Sequence, residues 1–354
     1  MKNKKIIALI ICTLCFSSCL INYGNQDKTD IQSKQTEFKV DLDNITKISR
    51  TQEDFDLWYS VALKKNGEIW ATGGWNTRGD SIYKWSKDEG KWSSVKLPVG
   101  GGMGVDAKVF FITDLNGYII GLNKILRSED GGNSWEESPL PNSSEITKLQ
   151  GVSFQDFNVG FIGGTTSYLD QTTFEPVPGI EILCTTDGGK VFQVCYKNKE
   201  YNSVLDIINL KQSVVIALID GSKMLVSHNF GKSWIENSLP INTDIIAVDD
   251  KDRIWIVEKN GKFLFSDDLG NSWGVAEINN SAFNQNVWNS IAFSKNGIGI
   301  AVGNEGVIAI SEGNHNWKKY KFNQIKEDLY SVQISDSHIL IQGKENLYSL
   351  EIQD

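Results

Sequence analysis

The stretch Leu126-Arg127-Ser128-Glu129-Asp130-Gly131-Gly132-Asn133-Ser134-Trp135 decides the fold of this chain. It contains the pattern Ser-x-Asp-x-Gly-x-x-Trp, and versions of this octad recur along the sequence. Residues 266–273 repeat the octad in full. Further copies carry Thr, Phe or Asn at its key positions, or are one residue shorter, and they lie at residues 86–92, 185–192, 227–234 and 311–317.

The residue types of the octad suit a tight hairpin turn. A short Asp or Asn side chain accepts N–H bonds from its own turn, and Gly adopts the positive φ that such a turn requires. Ser or Thr ends one strand, and the aromatic residue starts the next strand and packs into the core. We therefore interpret five octad residues as structural groups that hold turns and have no catalytic role: Asp88, Asp130, Asp187, Asn229 and Asp268.

The spacing of the octads predicts the fold class. Their aromatic residues stand at positions 92, 135, 192, 234, 273 and 317, a repeat close to 40 residues. Such a repeat, built from short alternating strands, is typical of propeller blades. A small residue precedes six predicted first strands, namely Ser60, Gly151, Ser203, Ala247, Ser290 and Ser331, and a seventh strand starts near Ala107 or Lys108. We predict an all-β, seven-bladed propeller of four-stranded antiparallel blades over residues 38–354.

The last repeat has only three strands of its own, at residues 331–334, 338–343 and 346–352. Residues 37–42 form an extended segment before the first blade and have no partner there. We predict that this segment supplies the outer strand of blade 7. The two ends of the chain would then close the ring and leave no open sheet edge.

The octad resembles the Asp-box, also called the BNR repeat, which occurs in sialidases, in other glycoside hydrolases and in sortilin-type receptors. The segments from Gly151 to Gly164 and from Ile291 to Gly306 are most similar to the propellers of photosystem II assembly and stability factors. The resemblance covers about residues 86–317. It implies a propeller fold and a role in protein handling or envelope assembly.

The amino terminus has the pattern of a bacterial lipoprotein signal. Residues 1–5 are basic, and the apolar run that follows is too short to span a membrane as a mature helix. Phe16-Ser17-Ser18-Cys19 resembles a lipobox. We predict a signal peptide over residues 1–18 and a flexible tether over residues 19–37 that starts at lipidated Cys19.

A plain secretory signal cleaved nearby is the alternative interpretation of this terminus. Leu20 follows Cys19, where an Asp would signal retention at the inner membrane. Resemblance to lipoprotein sorting rules therefore implies an outer-membrane location in the cell envelope. The sequence leaves the leaflet open.

The charge and cysteine content narrow the functional classes. A net charge of −9 without a basic patch argues against a nucleic-acid partner. Cys184 and Cys195 flank the third octad on two arms of one hairpin. They could form a disulfide in an oxidising compartment or pack as two buried thiols. Their spacing fits no zinc site, and we predict no metal and no cofactor.

The connections after the second and fourth strands of a blade lie opposite the octads, and propellers commonly bind ligands on this loop face. Two of these connections are unusual, at residues 73–81 and 164–179, and two tryptophans precede blade starts on the same face. We predict a ligand-binding surface formed by Trp58, Trp75, Arg78, Asp80, Tyr168, Asp170 and Trp288. The alternative is that the aromatic residues plug the channel mouth or cap a blade.

Catalysis by a sialidase-like mechanism would, by resemblance, require three arginines around a carboxylate. The chain has Arg50, Arg78, Arg127 and Arg253, and only Arg78 is well placed. We therefore predict a non-enzymatic scaffold that binds an envelope protein or a glycan. One alternative is a glycoside hydrolase or lyase that uses acidic residues of the loop face, among them Asp80, Asp106, Asp170 and Glu175. Another is a module that neutralises a toxin or recognises a polysaccharide.

Overall fold

The computed structural model describes residues 39–40, 45–49, 57–74, 81–98, 103, 107–169, 176–258, 261–279, 287–311, 315–321 and 325–353. Their regular structure consists of thirty β-strands and one 3-10 turn, Asn304–Gly306. The structure is a seven-bladed β-propeller of four-stranded antiparallel sheets, as the octad spacing predicts. None of the described segments forms a helix that is long and apolar enough to span a membrane.

The strands follow one another blade by blade along the chain. Two strands precede the first blade, β1 (Lys39–Val40) and β2 (Thr46–Ser49). Blade 1 contains β3 (Leu57–Leu63), β4 (Ile69–Gly74), β5 (Ser81–Ser86) and β6 (Lys91–Val95). Blade 2 contains β7 (Lys108–Phe111), β8 (Gly117–Gly121), β9 (Lys124–Ser128) and β10 (Glu136–Ser138). Blade 3 contains β11 (Ile146–Phe154), β12 (Gly160–Leu169), β13 (Pro176–Thr185) and β14 (Gln193–Asn198).

The second half of the ring repeats this order. Blade 4 contains β15 (Val204–Asn209), β16 (Val215–Ile219), β17 (Lys223–Ser227) and β18 (Ile235–Ser238). Blade 5 contains β19 (Ile246–Val248), β20 (Ile254–Val257), β21 (Phe263–Ser266) and β22 (Gly274–Val275), and β23 (Glu277–Asn279) crosses to pair with blade 6. Blade 6 contains β24 (Trp288–Phe293), β25 (Gly299–Gly303), β26 (Val307–Ser311) and β27 (Asn316–Lys321). Blade 7 contains β28 (Leu329–Ile334), β29 (His338–Gly343) and β30 (Asn346–Gln353).

The amino-terminal strands complete blade 7. Strand β1 pairs antiparallel with the end of β30, where Val40 stands opposite Ile352. This pairing confirms the closing strand predicted around residues 37–42. Strand β2 extends this pairing along the same edge of β30, where Thr46 stands opposite Ser349. Strand β2 is not predicted from the sequence, because the segment Thr46–Ser49 has a single apolar residue, Ile48.

The apolar core is divided among the seams between neighbouring blades. In the described part of the chain, the buried apolar residues form seven clusters, one at each seam. The cluster between blades 1 and 2, for example, joins Trp70 to Val109 and Trp135. Each sheet therefore buries both faces, which explains why the second strands are almost wholly apolar.

Blade 3 departs from the predicted pattern. A long connection is predicted at residues 164–179, but most of these residues belong to β12 and β13, which pair as far as Leu169 opposite Pro176. The neighbouring strands end earlier. Strand β11 pairs with β12 only as far as Thr166, and β14 pairs with β13 only as far as Ile180. A two-stranded hairpin therefore projects from the loop face by about 10 Å, at roughly 3.3 Å per residue.

Candidate functional site

The octad carboxylates are bonded within their own turns. The N–H of Ser134 donates to Oδ1 of Asp130 over 2.9 Å, and the Ser134 hydroxyl donates to Oδ2 over 2.6 Å. These hydrogen bonds lower the pKa of Asp130 to about 2. The N–H of Ser272 makes the same bond to Asp268 over 2.8 Å, and the N–H of Val191 makes it to Asp187 over 3.0 Å.

Two octads show the limits of this pattern. In the fourth octad, the amide oxygen of Asn229 accepts the N–H of Ser233 over 2.9 Å, so an uncharged acceptor is sufficient. In the shorter first octad, Asp88 makes no hydrogen bond to any residue that the structure describes, and the Ser86 hydroxyl accepts the N–H of Glu89 over 3.3 Å. The structure therefore does not show the turn-holding role predicted for Asp88.

The glycines of four octads also join neighbouring blades. Gly132 has a φ of +90°, and a Cβ at this position would lie 2.4 Å from the Trp70 ring of the preceding blade. Gly189, Gly231 and Gly270 have positive φ angles in the same way. A Cβ added to them would lie 3.1, 2.8 and 2.3 Å from Tyr118, Phe161 and Met224 of the preceding blade. The octad pattern predicts the positive φ angles of these glycines but not their contact with the neighbouring blade.

The disulfide that the sequence left open is formed in the structure. Cys184 on β13 and Cys195 on β14 are joined, with their Cα atoms 5.9 Å apart. Cys184 is almost wholly buried in the seam between blades 3 and 4. The bridge therefore ties β13 to β14 beside the third octad, at the opposite end of the blade from the projecting hairpin.

Two of the aromatic residues predicted at the loop face lie in the core. Trp58 is 8% exposed and packs edge-on against Trp92 at 5.1 Å. Trp288 is fully buried and packs edge-on against Phe263 at 5.1 Å. Their prediction as ligand-binding residues is wrong, because the start of an inner strand points them between blades.

The other residues of the predicted surface are only partly covered by the structure. Trp75, Arg78, Asp80 and Asp170 lie outside the described residues. Tyr168 lies on β12, close to the end of the projecting hairpin, where it stands opposite Val177. The prediction of a ligand-binding role for these residues stays a prediction.

The inner strands share a β-bulge near the loop face. Five of them carry an extra residue at this point: Tyr59, Gln150, Leu205, Asn289 and Tyr330. The next residue is small in four of these blades, namely Ser60, Gly151, Ser290 and Ser331. In blade 4 this position is occupied by Asp206, so the prediction that Ser203 is the equivalent small residue is wrong. Bulges of this kind commonly lie beside binding sites, where they redirect side chains.

Two charged residues occupy the central channel at this level. Lys108 of blade 2 takes the same strand position as Asp206 of blade 4, and its ammonium donates to the Gln150 carbonyl over 2.6 Å. Burial raises the pKa of Asp206, while the positive charge of Lys108 acts in the opposite direction. A Cβ on Gly151, in the blade between them, would lie 2.9 Å from the Asp206 carbonyl carbon.

Hydrogen bonds between inner strands hold the channel wall. The Ser153 hydroxyl accepts the N–H of Asn209 over 3.1 Å. The Gln333 amide spans the closing seam, because it donates to the Val61 carbonyl over 2.6 Å and accepts the N–H of Leu63 over 2.9 Å. Lys108 and Asp206 thus lie on inner strands that are joined to their neighbours by hydrogen bonds, one as a donor and one as an acceptor.

The described arginines are engaged in ion pairs beside the octads. Arg127 pairs with Glu136 over 2.7 Å, and Arg253 pairs with Asp267 over 2.7 Å. Arg50 and Arg78 lie outside the described residues. No group of three or more His, Cys, Asp or Glu side chains suited to a metal ion occurs in the described part of the chain.

The closed ring of seven sheets defines the class of this protein, which is a seven-bladed β-propeller. Residues 84–176 match the family model described as photosynthesis system II assembly factor YCF48. Sequence and structure together make the chain a propeller that is similar to this assembly factor. No curated protein matches the chain.

Solved structures show the same fold at low sequence identity. A structure of YCF48 bound to a D1 peptide has 16% identity and a TM-score of 0.64, over 88% of this chain and 97% of that one. A catalytically inactive virginiamycin B lyase from Staphylococcus aureus, with quinupristin, has 15% identity and a TM-score of 0.64, over 87% and 98%. The WD40 propeller of Doa1 has 17% identity and a TM-score of 0.58, over 88% and 98%.

Proposed function

We propose that this protein is a lipid-anchored, non-enzymatic scaffold of the cell envelope that binds a partner protein on its loop face. One observation carries the proposal: Lys108 and Asp206 of the inner strands lie towards the same face of the ring as the projecting hairpin. On the opposite face, four octads pack against the preceding blade. A similar propeller, YCF48, has been solved with a bound D1 peptide, which supports a peptide or protein as the partner class.

The hairpin offers a specific mode of binding. Residues 167–169 of β12 pair with β13 and with no other described strand, so one edge of β12 is free there. On β13, Pro176 and Pro178 lack an N–H and therefore cannot support another strand along the outer edge. A partner segment would add to the β12 edge through main-chain hydrogen bonds, the mode known as β-augmentation.

The envelope location rests on two observations. Cys184 and Cys195 form a disulfide, and such bridges persist in oxidising compartments outside the cytoplasm. The sequence of residues 1–19 resembles a lipoprotein signal, which supports anchoring through Cys19 at the outer membrane. We expect Cys19→Ser to abolish labelling by a palmitate analogue and to release the protein from the membrane fraction. Unchanged labelling and fractionation would contradict the anchor.

The loop-face assignment can be tested by comparing the two faces of the ring. Full-length protein would be cross-linked in intact cells, and captured partners would be quantified by mass spectrometry. The Lys108→Gln and Asp206→Asn variants should each reduce recovery of a stoichiometric partner at least tenfold. Phe157→Ala, an exposed apolar side chain in the first turn of blade 3 on the octad face, should leave recovery unchanged. The reverse pattern would contradict the proposal.

A further inference from the structure

The seam between blades 7 and 1 lacks the glycine contact that is described at four other seams. The first octad is one residue shorter, and a Cβ on its Gly90 would meet nothing within 4 Å. The strand register places Leu340 of blade 7 where blade 1 has Trp70. Leu340, which is smaller than Trp70, therefore faces the shorter first octad. The seam between blades 7 and 1 is left open on the octad face.

The open seam forms a cleft of about 790 Å³. One wall comes from blade 7 and its amino-terminal strand, through Thr46, His338 and Glu351. The other wall comes from blade 1, through Trp85 and Lys87. This volume lies within the roughly 300–1,000 Å³ of small-molecule binding sites.

Four charged side chains of the cleft form two ion pairs, and the Asp88 carboxylate has no partner among the described residues. The Lys84 ammonium lies 2.9 Å from Glu68, and the Lys87 ammonium lies 3.4 Å from Glu351. A charged ligand would have to break or compete with these pairs, whereas an uncharged polar ligand could bond to both members of each pair. The chemistry of the cleft therefore favours a neutral ligand with many hydroxyl groups.

An aromatic side chain forms the apolar part of the wall. Trp85 is half-buried and is held by the buried ring of Trp92, whose centroid lies 5.3 Å away. A fixed indole surrounded by polar groups can pack against the C–H face of a sugar ring while the hydroxyls bond to the rim. The Ser93 hydroxyl and Asp88, which makes no bond to any described residue, lie on the same wall.

We propose that the cleft between blades 7 and 1 is a binding site for a neutral oligosaccharide. The site is distinct from the protein-binding face, because it opens beside the first octad on the opposite side of the ring. Its ligand packs on Trp85 and bonds to the paired Lys84–Glu68 and Lys87–Glu351 groups.

The test is a titration of the full-length protein with maltotriose, cellotriose, chitotriose and mannotriose, followed by saturation-transfer NMR. We expect at least one of the four to bind, and Trp85→Ala to weaken that binding at least tenfold. Ser93→Arg, at an exposed strand position on the cleft wall, should have the same effect without removing a core contact.

Two outcomes would overturn the proposal. One is that none of the four oligosaccharides binds to the wild-type protein. The other is binding that has the same affinity in Trp85→Ala and Ser93→Arg as in the wild type. Phe157→Ala is the matched control, since it removes an exposed aromatic ring from the same face far from the cleft, and its affinity should equal that of the wild type. Near-ultraviolet circular dichroism would verify that each variant is folded.

Discussion

The seam between blades 1 and 2 and the seam between blades 7 and 1 join similar sheets by different means. At the first, the Trp70 ring lies against Gly132, and the Lys64 ammonium donates to the Gly131 carbonyl over 2.9 Å. At the second, Gly90 faces open space, and the seam is held by strand β2 and its buried residue Ile48. A ring can therefore be closed by strand pairing where octad packing is absent, and the space left over becomes a cleft.

The largest effect is expected at the closing strand. Ile48→Asp would place a charge in the core cluster that Ile48 shares with Trp58 and Leu340. We expect the free energy of unfolding to fall by about 4 kcal/mol, since an unpaired buried carboxylate is strongly destabilising. The midpoint of urea denaturation would measure it. Lys47→Ser, at the exposed neighbouring position, is the control and should change little; equal effects of the two changes would mean that β2 does not close the ring.

The octad glycines should respond differently at the two seams. Gly132→Ala introduces a clash with Trp70 in addition to an unfavourable positive φ, and we expect a loss of about 3 kcal/mol. Gly90→Ala also has a positive φ but meets no neighbour, so its loss should be about 1 kcal/mol. Thermal unfolding of both variants would measure the difference. Losses of the same size would show that packing between blades contributes nothing at Gly132.

A smaller difference is expected between the octad carboxylates. Asp130→Ala removes several hydrogen bonds of its turn and should cost about 1 kcal/mol of unfolding free energy. Asp88→Ala removes none of the described bonds and should cost less than about 0.5 kcal/mol. Asp130→Asn should fall between the two, because Asn229 makes the equivalent bond in the fourth octad. A chemical denaturation series would reveal any departure from this order.

The smallest effect is expected on the stability of the protein at low pH. The pKa of Asp130 is about 2 in the folded protein and 3.8 in an unperturbed carboxyl, because Ser134 bonds to the ionised form. Its contribution to stability is therefore fully present above about pH 3.8 and is lost as the pH falls towards 2. Asp130→Asn should flatten the fall in melting temperature over this range. An identical pH profile in the variant and the wild type would contradict the assignment.

The fold could be predicted because its signals are local and repeated. The octad spacing predicts seven blades, and the three-stranded last repeat predicts a closing strand; both are confirmed. Strand β2 was missed because a segment with one apolar residue carries no periodic signal. Residues 164–179 were treated as a connection because they lie in the longest gap between octad aromatic residues, from Trp135 to Phe192, although most of them pair as strands.

The candidate sites were harder to predict because they depend on contacts between distant residues. Trp58 and Trp288 stand at strand starts, and the sequence alone does not say that these positions point between blades. Asp206 lies in an apolar strand where only the register of the bulge places it in the channel. The cleft brings together Thr46, Trp85 and His338, which are far apart in the chain.

The most direct test of this account is a double-mutant cycle between Trp70 and Gly132. Trp70→Leu gives the first seam the side chain that Leu340 provides at the closing seam. If the glycine is required because the aromatic ring packs on it, Gly132→Ala should cost about 3 kcal/mol in the wild type and about 1 kcal/mol in the Trp70→Leu background. A cost that is the same in both backgrounds would contradict the claim that octads join the blades.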